Sequence, residues 1–390
     1  MSDSLSSLLN SAADKYRHGG RHRFLEANTS AQSSRINIAD QTLINFCSND
    51  YLGLANHPAV KDAATQAINS YGVGSGAAQL LSGRHACHGS LETRLAAFLG
   101  YEAAIVYSSG YLANLGLISA LVSRHDIVHQ DKLNHASLID AVKLSGATTR
   151  RYPHADIIAL EQNLHRYQDK RQWIVTDSVF SMDGDVAPLA AISELAQRYN
   201  AILIVDDAHG FGVIGKGRGV ARHTDLDSNQ LPIQMVTFGK ALGTQGAAVI
   251  GSRALIDYLI QSSRTFIYDT AMPPAIAAAT EQALDLIDND PRLVTHLEEN
   301  IALFQRLCEA ADIPLNGSET PIQPLVLGTE TRALKAAEFL RKNGIYVRAV
   351  RPPTVPPGSS RLRHCLSSAH SKEDIEKLVA NLHKFYRDEK

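Results

Sequence analysis

The 390 residues are 44% apolar and 20% charged, the balance of an ordinary soluble globular chain, long enough for a large domain with a smaller one attached. A formal net charge of −2 argues against nucleic acid or an anionic membrane as the main partner. The cysteines, Cys47, Cys87, Cys308 and Cys365, are scattered and form no CxxC pair, which speaks against disulfides and thiolate metal sites and fits a reducing cytoplasm.

The first residues lack a basic stretch and a long apolar core, so no secretory signal is expected, and no run of about 18 apolar residues predicts a membrane span. Leu5, Leu8, Leu9 and Ala12 predict an amphipathic helix over 4–18, stopped by Gly19-Gly20. Residues 24–42 read as an extended polar arm. A strand follows over Thr42–Phe46 and breaks at Ser48-Asn49-Asp50. A helix is expected over 57–71. The loop Gly72-Val73-Gly74-Ser75-Gly76 misfits dinucleotide spacing, and without Gly-Lys-Ser/Thr it is no phosphate-cradling loop. Another helix opens at His88 and runs to about Leu99.

From residue 100 strands and helices alternate. Ala103–Tyr107 reads as a buried strand and Ala113–Val122 as a helix, with Ser109-Gly110-Tyr111 between them. A strand, a small polar turn and a helix N-terminus can hold a phosphate, and can equally be a plain turn. Asp126–His129, Gln172–Val175 and Ala201–Val205 are further strands, and Pro188–Tyr199 is a helix. Near-continuous apolar strands alternating with helices imply a mainly parallel sheet covered on both faces. Ligands in such sheets bind at the carboxyl ends of strands. Asp206 and His209 lie at one such end, Ser181 at another, and Lys240 beyond a third.

Lys240 follows the run Gln234–Phe238 and is flanked by apolar and small residues; Thr244–Gly251 after it reads as small and flexible. A desolvated lysine has an amine that can attack a carbonyl. Helices are expected over 253–262 and 274–288, the second entered through Pro273-Pro274. A helix over about 291–311 leads to a small α+β unit: strand 322–327, helix 331–343, strand 345–350, a Pro-rich loop 351–358, strand 361–367 and helix 371–386. The organisation expected is an arm (1–45), a large domain (46–290) and a small C-terminal domain (291–390). A Schiff-base lysine, a carboxylate for a ring nitrogen and a phosphate cup point to pyridoxal phosphate on an aspartate-aminotransferase-like (fold type I) α/β scaffold. No metal site is expected. A sugar or nucleotide binder on the same kind of sheet is the alternative.

The chain resembles the α-oxoamine synthases over nearly its whole length. The motifs are Asn49-Asp50-Tyr51-Leu52-Gly53-Leu54, Gly74-Ser75-Gly76, His88-x-x-Leu91-Glu92, Asn134-His135-Ala136-Ser137, Val179–Gly184, Asp206-Asp207-Ala208-His209-Gly210 and Thr237-Phe238-Gly239-Lys240. Ile322-Gln323-Pro324 with Arg351–Pro356 resembles the branch of biotin biosynthesis that condenses L-alanine with pimeloyl-CoA or pimeloyl-acyl carrier protein, releasing carbon dioxide and thiol. The resemblance implies that Lys240 forms the Schiff base and moves the α-proton, and that Asp206 pairs with the pyridine nitrogen. His209 and Ser181 would bond the ring oxygen, and His135 would stack on the ring. Gly110, Tyr111 and Thr237 would surround the phosphate, reached by Thr270 from a partner chain in a homodimer. Arg363 and Asn49 would hold the amino-acid carboxylate, and Arg21 and Thr354 the acyl substrate. Two other readings stay open: 2-amino-3-ketobutyrate ligase chemistry (glycine with acetyl-CoA) and a catalytically silent subunit. The chain departs from the family pattern at Asp269, where relatives carry Ser or Thr, at Asp177-Ser178 in place of Glu-Gly, and at Ala77-Ala78-Gln79, which lacks the usual Ser-Arg.

Overall fold

The protein is described by a computed structural model over residues 4–18 and 23–388. Two units separate: one runs to Ser48 and resumes at Asn300, the other is Asn49–Glu299.

In the first unit, β1 (Arg35–Ile38) pairs antiparallel with β2 (Gln41–Asn45). The stretch expected to be an extended arm is thus partly a hairpin. Its cause is alternation: Ile36 and Ile38 are buried with Leu43, while the residues between them turn outward.

The second unit is built on one sheet. Its strands are β3 (Ala103–Tyr107), β4 (Ile127–Asp131), β5 (Thr148–Tyr152), β6 (Gln172–Asp177), β7 (Ile202–Asp206), β8 (Ile233–Thr237) and β9 (Ala247–Gly251). Their spatial order is β3-β9-β8-β7-β6-β4-β5. Pairing is parallel from β5 to β8, and β9 runs antiparallel to both neighbours. Residues 247–251 are therefore a fully buried strand rather than a flexible tail. Ala247 and Ala248 leave room for the helices above and below, which is why the segment is small without being loose.

Side chains alternate between two cores. Trp173, Val175 and Ile204 join one with Leu117, Leu138 and Leu259. Ile174, Leu203 and Val205 join the other with Leu160, Leu164 and Leu189. Residues 132–171, undivided in the sequence reading, hold the helices Ala136–Ser145 and Ile157–Arg166 on either side of β5. The helix after β3 begins at Gly110, not Ala113, because Ser109 caps it by accepting from the Leu112 amide at 3.2 Å.

The first unit resumes with β10 (Ile322–Gly328), β11 (Ile345–Tyr346), β12 (Ala349–Val350) and β13 (Ser360–Cys365). The single strand expected over 345–350 is two short ones: β11 extends β2 in parallel, and β12 pairs with β13. No helix among the described residues is long and apolar enough to cross a membrane.

Candidate active site

Three adjacent parallel strands end in aspartate: β4 in Asp131, β6 in Asp177 and β7 in Asp206. All three are nearly inaccessible. Asp177 and Asp206 are direct register partners. Burial, with the neighbouring Asp206 charge, pushes the Asp177 carboxyl well above the usual carboxylate range.

Asp206 is fixed at both oxygens. Oδ1 accepts from the Ala208 amide at 2.9 Å and Oδ2 from Asn114 Nδ2 at 2.7 Å. The same Asn114 amide donates to Ser137 Oγ at 2.9 Å. Ser137 Oγ in turn lies 2.7 Å from His135 Nδ1. The Ser137 amide donates to His135 Nδ1 at 3.3 Å, so Nδ1 is an acceptor and the Ser137 hydroxyl hydrogen serves it as well. The His135 amide donates to Asp177 Oδ2 at 2.7 Å. A hydrogen-bonded chain therefore runs from Asp206 through Asn114 and Ser137 to His135.

Asp207 points the other way. Its carboxylate accepts from Ser178 Oγ (2.5 Å), Gln234 Nε2 (2.7 Å) and the Val220 amide (2.9 Å). Full burial still raises its carboxyl to about 7. The two adjacent acids divide their work: Asp206 faces the site and Asp207 ties β6, β7 and β8 together.

Lys240 is half-buried, and its Nζ donates to Thr237 Oγ1 at 3.1 Å. Its turn is closed by Phe238 N to Gly246 O (2.9 Å) and Thr244 N to Phe238 O (3.0 Å). Gly243 (φ +67°) packs on the Leu54–Ala55 backbone so closely that a Cβ would sit 2.2 Å from Ala55 N. Gly110 lies against the same threonine, where a Cβ would come 2.5 Å from Thr237 Cγ2. The helix N-terminus that begins at Gly110 thus lies beside the lysine's strand.

His209 Nδ1 is 2.8 Å from Tyr51 Oη, which is 3.1 Å from Asn49 Oδ1. Ser181 occupies the tip of a loop closed by Phe180 N to Asp185 O (3.0 Å) and by the Val179–Val186 bridge. Tyr111 Oη donates to Asp140, and its ring meets His135 edge-on at 6.4 Å. Asp269 accepts the hydroxyl hydrogen of Ser108, while Thr270 pairs with Ala78 in an isolated bridge. Ala271 N also donates to Ala77 O (3.0 Å), so the loop lacking Ser-Arg is anchored to residues 270–271.

Residues 49–299 therefore contain Lys240, Thr237, Gly110, Tyr111, His135, Ser181, Asp206, His209, Asn49 and Thr270. Thr354 and Arg363 belong to the other unit: Thr354 accepts from Arg23 Nη2 at 2.9 Å, and Arg363 Nη1 donates to Cys365 Sγ at 2.7 Å. Arg21 lies outside the described residues. Among these residues no group of histidines, cysteines and acids is arranged to hold a metal. The sequence reading missed Asn114, a lone amide among Leu112, Ala113, Leu115 and Gly116 whose setting was the only clue.

The donor set fits pyridoxal phosphate. A buried carboxylate with both oxygens already oriented suits a protonated ring nitrogen. A helix N-terminus beginning with glycine suits a phosphate. An amine beside a threonine hydroxyl suits the aldehyde carbon.

The family described as aminotransferase class I and II matches residues 41–382. The 8-amino-7-oxononanoate synthase of Methylococcus capsulatus is 49% identical over 354 residues, covering 90% of this chain and 92% of that one. That of Cellvibrio japonicus is 46% identical over 97% of this chain and 96% of its own. Among solved structures, a Sphingomonas wittichii serine palmitoyltransferase superposes with a TM-score of 0.93 at 27% identity, covering 99% of both chains. The Francisella tularensis 8-amino-7-oxononanoate synthase superposes at 0.77 with 34% identity, over 89% of this chain and 98% of that one.

Proposed function

The chain belongs to the class I and II aminotransferase family, among its 8-amino-7-oxononanoate synthases, and from that premise we propose how its residues divide the reaction. It is a pyridoxal-phosphate acyltransferase. The reaction joins L-alanine to a pimeloyl thioester and releases carbon dioxide, free thiol and 8-amino-7-oxononanoate for biotin biosynthesis. Pyridoxal phosphate, when bound, supplies the electron sink that stabilises negative charge at the amino acid's Cα.

Lys240 would hold the cofactor through its carbonyl carbon, and its Nζ would carry the alanine α-proton. Thr237 keeps that amine in place through the 3.1 Å contact. Asp206 would hold a proton on the cofactor's ring nitrogen, and Asn114 and Ala208 hold Asp206. His135, braced by Ser137 and Asp177, would cover the cofactor ring. His209 and Ser181 would bond the ring oxygen. Gly110, Tyr111 and Thr237 would hold the phosphate, with Thr270 contributed across a homodimer. Asn49 and Arg363 bind the substrate carboxylate, and Arg21 and Thr354 the acyl chain. The expected setting is cytoplasmic.

The observation that supports this reading most is the doubly oriented Asp206 on the strand next to the one leading to Lys240. The test is thiol release by holoenzyme supplied with alanine, glycine or serine against pimeloyl-CoA, pimeloyl-acyl carrier protein or acetyl-CoA. Alanine with a pimeloyl thioester should dominate. A preference for glycine with acetyl-CoA would overturn the assignment, and a protein that takes up no cofactor would make it a silent subunit.

A further inference from the structure

His154 lies just past β5 and has no part in the chemistry above, yet it joins two loops of the site. Its Nδ1 is 3.1 Å from Asp131 Oδ1, and its Nε2 is 2.8 Å from Asp185 Oδ2. Phe180 meets its ring edge-on at 4.4 Å. Asp131 ends β4 and opens the loop to His135, accepting from the Leu133 amide at 2.8 Å. It also accepts from the Ala155 amide at 2.8 Å. Asp185 closes the loop whose tip is Ser181. Asp185 Oδ1 is buried with no partner among the described residues, so its side chain is tied by Oδ2 alone.

We propose that His154 is a positioning residue: as an imidazolium clamped between Asp131 and Asp185, it fixes the His135 loop relative to the Ser181 loop and so presets the pocket for the cofactor ring. This rests on the ring contacts assigned above to His135 and Ser181. Two carboxylates facing the two nitrogens leave no acceptor role for the ring, so both nitrogens carry hydrogen. The flanking acids raise its proton affinity to about 10. The cation also offsets the end of a row of buried acids, since Asp131 adds to the electrostatic pressure on Asp177. The charged groups facing His154 are Asp131 from β4 and Asp185 from the loop after β6.

The test compares wild type, His154→Gln, Asp185→Asn and the double variant. Apoprotein is titrated with pyridoxal phosphate, following the visible band, and melting is measured on the same samples. His154→Gln should weaken cofactor binding about tenfold and move the pH midpoint of the bound cofactor's band, and the double variant should be no worse than the worse single one. Wild-type affinity and band titration in His154→Gln, with only a lower melting temperature, would reduce His154 to a structural residue and overturn the proposal. If His154→Gln does not fold, Asp185→Asn decides by the same two readouts. Failure of the proposed reaction would instead appear in wild type as absent thiol release, with the binding titrations unaffected.

Discussion

At the carboxyl edge of the sheet β4, β6 and β7 end in acid, whereas β8 ends in Thr237 and the reversed β9 begins beside it with Ala247. The acidic half is held electrostatically. Asp177 takes the His135 amide, Asp206 takes Asn114 and Ala208, and Asp131 takes His154. The lysine half is held sterically, by the closed turn 238–246 and by Gly243 pressed on the Leu54–Ala55 backbone. One half sets charge and the other sets position. A catalyst that moves protons on a lysine needs both, and each half should fail in its own way.

The sharpest separation comes from removing the amine itself. Lys240→Ala should lower thiol release by about 10⁴-fold or more while leaving the melting temperature nearly unchanged. Residual activity close to wild type would end the distinction, because the lysine half would then position nothing. Next, Asp206→Asn keeps the shape and discards the charge. It should cost about 10²- to 10³-fold in kcat with no loss of stability, since one acid leaves the crowded row. A large drop in melting temperature would mean that the acidic half is a scaffold rather than a charge-setting device.

The steric half breaks through Gly243→Ala. A left-handed backbone and a Cβ 2.2 Å from Ala55 N should cost about 3 kcal/mol in urea unfolding. That loss should be the same at pH 6 and pH 9.

The smallest effect is the pH dependence of the acidic half. His154 has its proton affinity raised from 6.5 to about 10, so its stabilisation is complete below pH 6.5 and fades as pH rises through 10. Asp207, raised from 3.8 to about 7, acts below that window: its cost grows as pH rises from about 4 to 7 and is constant above. Burial also raises the thiols of Cys47, Cys87, Cys308 and Cys365, so wild type loses stability through them as well when pH passes 9. The His154 contribution is the difference between wild type and His154→Gln from pH 7.5 to 10, which should shrink by ~2 kcal/mol once partial exposure is allowed for.

These differences also track what the sequence could tell. Asp206 and Lys240 stand out because each follows an apolar run that stops abruptly, and abrupt stops mark strand ends. The fold class follows from the same runs. The edge strand β5, Thr148-Thr149-Arg150-Arg151-Tyr152, was illegible because one side has no neighbour and its polar residues remain exposed. Strand β9 was illegible for the opposite reason: its alanines are small enough to look like a loop. Asn114 and His154 act through partners 92 and 23 residues away, and periodicity carries no such pairing.

The reversed strand β9 has a consequence for how the protein is made. Its register sets Ala103 against Gly251, so the segment carrying Lys240, the proposed Schiff-base lysine, is locked between neighbours only after the ribosome has delivered the second unit as far as Gly251. Closing so long a loop is slow compared with local helix formation. The nascent chain would therefore carry its acidic strand ends before its lysine is seated. If Lys240 is the attachment point proposed above, a cofactor aldehyde arriving early would meet an amine not yet distinguished from any other, and selectivity would begin only when the sheet closes.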